Sequence, residues 1–332
     1  MGKPKIPQQI ITSQELSSVS VTDESIQKLV VTDCPNVSAL SDLSTLPLSY
    51  LDISKCSFES LPSIPQSLRV LKISHNCIKE LSQPFPPNVL SLVSDHNNLS
   101  TVNFSGSKKS SLSTLILSHN KFTSIDIPKY HYLAKISLGH NQIVSFTCAP
   151  LLSLRELRLG YNLLTEIPAC ISRLTSLEIL CLRGNLIQDC SLSTMEKCFS
   201  SLPLRNLSIS GNPGAVELGL ELKTVVMSVI PTLIRLDDKP LDQWAPGKLI
   251  EHVITSKTES QSTVVESTVL GKSSFDKVQN QKRLASKLGK SSKLPKKRSK
   301  NENISPENNT HEHENFKILN IVQDVELGEW SD

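Results

Sequence analysis

A short pattern of apolar residues recurs nine times between residues 26 and 212, and it constrains the fold more than any other feature of the sequence. Each copy reads L-x-x-L-x-L-x-x-N or a close variant, with cysteine at the last position in the first two copies. The last positions of successive copies lie 20 to 27 residues apart. Units of this size cannot bury an apolar face alone, so the copies are predicted to stack and share one continuous core.

The pattern resembles that of leucine-rich repeat proteins. The resemblance implies an α/β solenoid of about nine repeats, with parallel strands on the concave face and mixed extended, 3-10 and helical segments on the convex side. The last residue of each copy is expected to be buried where the chain turns away from the strand, because its side chain can pair with backbone groups there. These residues are Cys34, Cys56, Asn76, Asn97, Asn120, Asn141, Asn162, Asn185 and Asn212.

The repeats are predicted to end in a C-terminal cap at residues 213–245, because a last repeat needs its apolar edge covered. The stretch "AVELGLELKTVVMSVI" is predicted to form an amphipathic helix, and "PTLIRLD" a strand-like closure. The apolar side of the predicted helix holds Val216, Leu220, Val225, Val226 and Val229. This arrangement resembles the cap of intracellular leucine-rich proteins that include a protein phosphatase 1 regulatory subunit and a spliceosomal protein. Phosphatase regulation and a role in a ribonucleoprotein are therefore alternative functions.

The regions outside the repeats differ in composition. Residues 1–25 are an N-terminal flank, and residues 246–332 lose the leucine period and become rich in polar and charged residues, which predicts a disordered tail. Residues 272–300 hold eleven Lys or Arg against one acid, whereas residues 301–332 hold eight acids against one lysine and several apolar side chains. The net charge of +3 hides two opposed blocks.

The basic block contains two clusters, "KR" and "KKRSK", separated by twelve residues. Two such clusters resemble a bipartite nuclear localisation signal, which would be bound by an import receptor. Contact with RNA phosphates and a merely solvated tail are the alternatives. The candidate residues are Lys282, Arg283, Lys296, Lys297, Arg298 and Lys300.

The sequence shows no catalytic signature. It lacks G-x-x-x-x-G-K-[ST], G-x-G-x-x-G, G-x-S-x-G and H-E-x-x-H, and its eight cysteines form no C-x-x-C pair. No secretory signal or membrane-spanning run is visible. The sequence therefore predicts a non-enzymatic, intracellular protein of the nucleus, the cytoplasm or both, without a cofactor and without membrane binding.

The residues between the fixed leucines are expected to face the concave surface and to bind a partner there. His75, His96, His119 and His140 occupy the same position of consecutive copies, followed by Tyr161, and strands about 4.8 Å apart would stack these rings in a column. Parallel rings do not let two nitrogens converge on one ion, and Asp95 is the one carboxylate near the column, so no metal site is predicted. The column is expected to be a consequence of the repeat, with partner contact or mild pH sensitivity as the alternatives. The partner-binding candidates are Lys72, His75, His119, His140, Arg155, Arg158, Tyr161 and Arg183.

The function predicted from these features is that of a monomeric adaptor or scaffold whose concave face binds a protein of unknown identity. The leading alternative is a ribonucleoprotein component that contacts RNA through the basic tail.

Overall fold

The computed structural model describes residues 7–12, 18–19, 21, 24–37, 39–40, 42–82, 86–105 and 110–246. The predicted tail beyond residue 246, with its basic and acidic blocks, lies outside the described residues. Within the described part of the chain, no helix is long and apolar enough to cross a membrane.

Short strands dominate the described residues. In chain order they are β1 (Gln8–Thr12), β2 (Ser18–Val19), β3 (Lys28–Thr32), β4 (Ala39–Leu40), β5 (Tyr50–Asp52), β6 (Val70–Lys72), β7 (Glu80–Leu81), β8 (Ser91–Val93), β9 (Thr101–Val102), β10 (Thr114–Ile116), β11 (Ser124–Ile127), β12 (Lys135–Ser137), β13 (Ser145–Cys148), β14 (Glu156–Arg158), β15 (Ile179–Cys181), β16 (Asn206–Ser208), β17 (Arg235–Leu236) and β18 (Lys239–Pro240).

Twelve of these strands form the main sheet, in the order β1-β3-β5-β6-β8-β10-β12-β14-β15-β16-β17-β18. All neighbours pair in parallel except β17 and β18, which are antiparallel. Each of the nine predicted copies supplies one strand, so the chain is a leucine-rich repeat solenoid as predicted. Three further parallel pairs, β2–β4, β7–β9 and β11–β13, lie outside this sheet.

The register aligns equivalent positions of successive copies. Leu115 lies between Leu92 and Ile136 in the neighbouring strands, and all three side chains are fully buried. Because side chains alternate along a strand, the residues on either side of each buried leucine project from the opposite face of the sheet. The buried leucines thus form a continuous core, and the intervening residues form the concave surface.

The opposite side of the solenoid varies along the chain, as the sequence predicts. The proline-containing stretches at 59–67 and 86–89 hold no helix. A 3-10 helix follows Pro168 at Ala169–Arg173, and the longest interval between copies contains helix α1 (Leu192–Phe199). Met195 and Phe199 of α1 are fully buried.

The C-terminal cap corrects one prediction. The expected single helix is two helices, α2 (Pro213–Leu218) and α3 (Glu221–Val229), because Gly219 adopts a φ of +52° and ends the first. Of the predicted apolar side, Val226 and Val229 are buried and Val225 packs against the core, whereas Val216 and Leu220 are 38% and 76% exposed. At the other end, strand β1 lies in the predicted N-terminal flank and pairs in parallel with β3.

Candidate binding surface on the concave sheet

The asparagine at the end of each copy joins neighbouring turns. Nδ2 of Asn141 donates to the carbonyls of Leu138 and Leu117 at 2.9 and 3.1 Å, and its Oδ1 accepts from the Phe122 backbone N–H at 3.2 Å. The same set of contacts recurs at Asn76, Asn97, Asn120, Asn162, Asn185 and Asn212. Each amide therefore satisfies backbone groups of its own turn and of the preceding turn.

The two cysteines at this position make fewer contacts. The thiol of Cys56 approaches the carbonyls of Val31 and Ser54 at 3.5 Å, and that of Cys34 approaches the Thr32 carbonyl at 3.3 Å. Both side chains are buried, and burial raises the pKa of Cys56 to about 11. A thiol held in its protonated form is a poor nucleophile, so Cys56 fits a structural role.

The residue before each of these asparagines or cysteines has a left-handed backbone. Its φ lies between 52° and 56° at Asp33, Lys55, His75, His96, His119, His140 and Tyr161, and glycine occupies the position in the last two copies. Most residues with a Cβ disfavour this conformation, whereas His, Asn and Asp tolerate it better. The turn therefore fixes the direction of each side chain and aligns the rings along the sheet.

The five rings stack face to face. The ring centroids of His75 and His96 are 4.1 Å apart, those of His96 and His119 4.1 Å, those of His119 and His140 4.2 Å, and those of His140 and Tyr161 4.3 Å. We call these five residues the ring column. Burial, together with the positive charge of His140 and His96 when protonated, lowers the pKa of His119 to about 4. The His119 ring is therefore uncharged at neutral pH.

Asp95 lies next to the ring column, as expected from the sequence, although it was not among the partner-binding candidates. It is 3% exposed, and its carboxylate accepts hydrogen bonds from the Ser74 hydroxyl at 2.5 Å and from Nδ1 of His96 at 2.8 Å. Asp95 comes two residues after the end of β8, at a position where most other copies carry serine, threonine or glycine. The hydrogen bonds of Asp95 with Ser74 and His96 could not be predicted from the repeat pattern.

A charged group lies farther along the concave sheet. Arg158 donates from Nε to Glu156 at 2.5 Å, and Lys135 reaches the same carboxylate at 3.5 Å. Burial disfavours the charged form of Arg158, but the Glu156 carboxylate outweighs this effect and raises the pKa of the guanidinium. The Arg158 side chain is still 55% exposed, so it is both held in place and accessible.

Of the three arginines among the partner-binding candidates, Arg158 and Arg183 lie near one carboxylate and Arg155 lies beside another. Arg183 binds Asp238 at 2.7 Å and donates to the Ser210 hydroxyl at 3.1 Å. The carboxylate of Asp238, which comes from the turn between β17 and β18, raises the pKa of both Arg158 and Arg183. Arg155 instead pairs with Glu178 at 3.3 Å. Asp238 could not be assigned from the sequence, since its place depends on how the cap folds back.

The opposite end of the sheet has a separate cluster around Tyr50. The ammonium groups of Lys28 and Lys72 lie 5.0 and 5.9 Å from the centre of its ring. Its hydroxyl donates to Asp52 at 3.4 Å, and burial with the nearby Asp52 charge raises its pKa. Lys72 was predicted to face the concave surface, whereas the role of Tyr50 was not foreseen.

The middle of the concave surface is lined by small polar and aliphatic side chains. Ser91 and Thr114 are buried, and Val93 and Ile116 follow them on the same strands. Small side chains therefore line the middle of this surface, between the Tyr50 cluster and the Arg158 and Arg183 groups. The predicted nuclear localisation residues lie outside the described residues.

Comparison with known proteins supports the fold. No family model matches the sequence. The leucine-rich repeat domain of APL1B is 18% identical, with a TM-score of 0.51 over 69% of this chain and 67% of that one. YopM from Yersinia enterocolitica is 19% identical over 60% of this chain and 45% of its own, with a TM-score of 0.44. An internalin, InlF, from Listeria monocytogenes is 16% identical over 70% of this chain and 80% of its own, with a TM-score of 0.44. At such identities the likeness concerns the fold alone, which is that of a leucine-rich repeat solenoid.

Proposed function

We propose that the chain is a non-enzymatic interaction scaffold that binds a protein partner on its concave sheet. The observation that carries the proposal is the arrangement of Arg158 and Arg183, which are held by Glu156 and Asp238 beside Tyr161. Arginine and tyrosine are common anchors of protein interfaces.

Stability does not explain this arrangement. An exposed ion pair contributes only about 0–1 kcal/mol to folding, because water screens it and two side chains lose freedom. Fixing a long side chain before a partner arrives, however, reduces the entropy lost on binding by about 0.5–1.5 kcal/mol per side chain. The ion pair with Glu156 prepares Arg158 in this way, while 55% of its side chain stays accessible.

The shape and charge of the surface favour a protein as the bound molecule. A floor of Ser, Thr, Val and Ile that continues over several parallel strands fits an extended polypeptide better than a small molecule, which needs an enclosing pocket. Each end of the concave surface carries both positive and negative charge. Lys28 and Lys72 lie near Asp52 at one end, and Arg158 lies near Glu156 at the other. Such mixed charge gives a protein partner defined positions, whereas nucleic acid requires a predominantly basic surface.

The proposal is tested by affinity purification of the full-length chain followed by reconstitution. The variant Arg158→Ala is compared with Lys79→Ala, which removes an exposed cation paired with Glu59 outside the main sheet. A protein retained by the wild type and by Lys79→Ala, but lost with Arg158→Ala, is purified and its Kd is measured. We expect Arg158→Ala to weaken this Kd about tenfold or more, which corresponds to about 1.4 kcal/mol. Equal retention of every protein by both variants would contradict a concave binding face.

The ribonucleoprotein alternative makes a different prediction. Contacts with RNA phosphates would lose affinity steeply as salt rises, and replacing Lys296, Lys297 and Arg298 with alanine would abolish them. Binding on the concave sheet should survive that triple substitution. Loss of all bound partners in the tail variant, with Arg158→Ala unaffected, would favour RNA binding over the scaffold function.

A further inference from the structure

The concave surface contains a buried carboxylate beside two imidazoles. Asp95 is 3% exposed, whereas carboxylates are rarely buried unless they are paired or bind a metal. Its two oxygens accept hydrogen bonds from Ser74 and His96. Ser74 is neutral, so it orients the carboxylate without offsetting its charge.

The second imidazole completes a set of three donors. One ligand atom each from His75, Asp95 and His96 lies within 4.8 Å of the others. His75 is exposed and His96 is partly exposed, so an ion can reach the group from solvent. The nearby cation Lys55 pairs with Asp33 at 3.2 Å.

We propose that His75, Asp95 and His96 form a binding site for a divalent transition-metal ion of the Zn²⁺ or Cu²⁺ class. Two imidazole nitrogens and one carboxylate oxygen are a donor set that these ions favour, whereas Mg²⁺ and Ca²⁺ prefer oxygen alone. The site is independent of the proposed protein-binding function.

Metal binding requires only small movements of the His75, Asp95 and His96 side chains. Metal–ligand bonds of 2.0–2.2 Å place tetrahedral ligand atoms about 3.3 Å apart. The contact between His96 Nδ1 and Asp95 Oδ2, now 2.8 Å, widens by about 0.5 Å when an ion replaces the proton between them. That proton leaves Nδ1 for solvent while Nε2 of the same ring takes one up, so the imidazole that binds the ion stays neutral. The His75 ring, which stacks on His96 at an angle of 15°, turns about its side-chain bonds to direct a nitrogen toward the ion.

Asp95 supplies a ligand atom that the stacked rings of the column do not supply by themselves. Parallel rings alone do not converge on one ion, which is why the sequence predicts no metal site. A carboxylate fixed by Ser74 supplies a donor outside the stack, and such hydrogen-bonded support raises metal affinity by about 10- to 100-fold in known sites. His140 occupies the same column outside this three-residue group.

The test is isothermal titration of the chelator-stripped full-length chain with Zn²⁺ alone. His311 and His313 are replaced by alanine in all samples, because their His-Glu-His sequence can bind metal independently. We expect one ion per chain, an affinity at least tenfold lower in Asp95→Asn and in His75→Ala, and no change in His140→Ala. Circular dichroism identifies any variant that fails to fold. Because His75 is exposed, we expect His75→Ala to disturb folding less than Asp95→Asn.

Two results would overturn the proposal. One is the absence of Zn²⁺ binding to the parent chain at concentrations up to about 100 μM, which would mean a Kd far weaker than micromolar. The other is an equal loss of affinity in His140→Ala, His75→Ala and Asp95→Asn, since that would mean cation binding along the whole ring column. Cu²⁺ electron paramagnetic resonance provides a second readout, because coupling to two nitrogens should fall to one in His75→Ala.

Discussion

At the scale of single residues, the asparagine that ends each copy does more for the fold than the more conspicuous histidine before it. The Asn141 amide makes contacts with two turns, and its side chain is buried. His140 projects from a left-handed residue of the same turn and is exposed. The asparagine thus stabilises the turn, and the histidine is available for binding.

The first prediction concerns Asn141. Replacing it with alanine leaves the Phe122 N–H without its side-chain acceptor, which costs about 1–3 kcal/mol for a buried donor. It also removes one of the two asparagine amides that donate to each of the Leu117 and Leu138 carbonyls, at about 0.5–1.5 kcal/mol per hydrogen bond. We expect a loss of about 3 kcal/mol in the free energy of unfolding, measured by urea denaturation. The exposed neighbour Gln142→Ala should change it by no more than about 0.5 kcal/mol. Equal effects would mean that the asparagine contacts are not stabilising.

The observed roles of individual residues show which features could be predicted from the sequence. The buried leucines and the asparagine position follow from the period, because every copy repeats the same local constraint. The stacking of the rings follows from the strand spacing. The position of Asp95 beside the histidines also follows from the repeat, but its burial and its contact with Ser74 of the preceding copy do not. Asp238 could not be assigned, because its place depends on how the cap folds back on the sheet.

At the scale of elements, the cap closes the last repeat through one carboxylate. Asp237 is buried, and its Oδ1 accepts hydrogen bonds from the backbone N–H groups of Ile209 and Ser210 at 2.8 and 2.7 Å. Its Oδ2 accepts from Nε1 of Trp244 at 2.9 Å. The cap therefore satisfies donors that the next repeat would otherwise satisfy.

The second prediction follows from these contacts. Asp237→Ala should leave three donors unpaired and lower the stability of the C-terminal end by about 2–3 kcal/mol. Hydrogen exchange should accelerate at the amides of β16, and far less at those of β6. The exposed Asp242→Ala is the control, since it also removes one negative charge from the cap. Unchanged exchange in β16 would exclude a stabilising role for Asp237.

The cap also illustrates a limit of periodic patterns. The apolar spacing between residues 215 and 230 predicts one helix, yet Gly219 ends α2 and leaves Leu220 exposed. A glycine in a helical pattern can be tolerated or can end the helix, and tertiary packing decides which occurs. Strand β1 was missed for a related reason, because its sequence QQIIT carries no leucine pattern.

At the scale of the whole molecule, the order of the main sheet determines how stability is distributed. The strand of each copy pairs with those of the adjacent copies, and no described strand of this sheet pairs across a copy. In such a chain, stability is approximately a sum of repeat terms and nearest-neighbour terms. A local defect should therefore weaken adjacent copies more than distant ones.

The third prediction tests this distribution with a cavity in the middle of the solenoid. Leu157 is fully buried in β14, so Leu157→Ala should cost about 2–5 kcal/mol. Leu152→Ala lies five residues earlier and removes the same atoms from a side chain that is 61% exposed, so its cost should be small. Hydrogen exchange of Leu157→Ala should accelerate in β12, β14 and β15 while β3 and β5 keep most of their protection. A uniform loss across all strands would instead show that the repeats unfold as one cooperative unit, and the nearest-neighbour description would then be wrong for this chain.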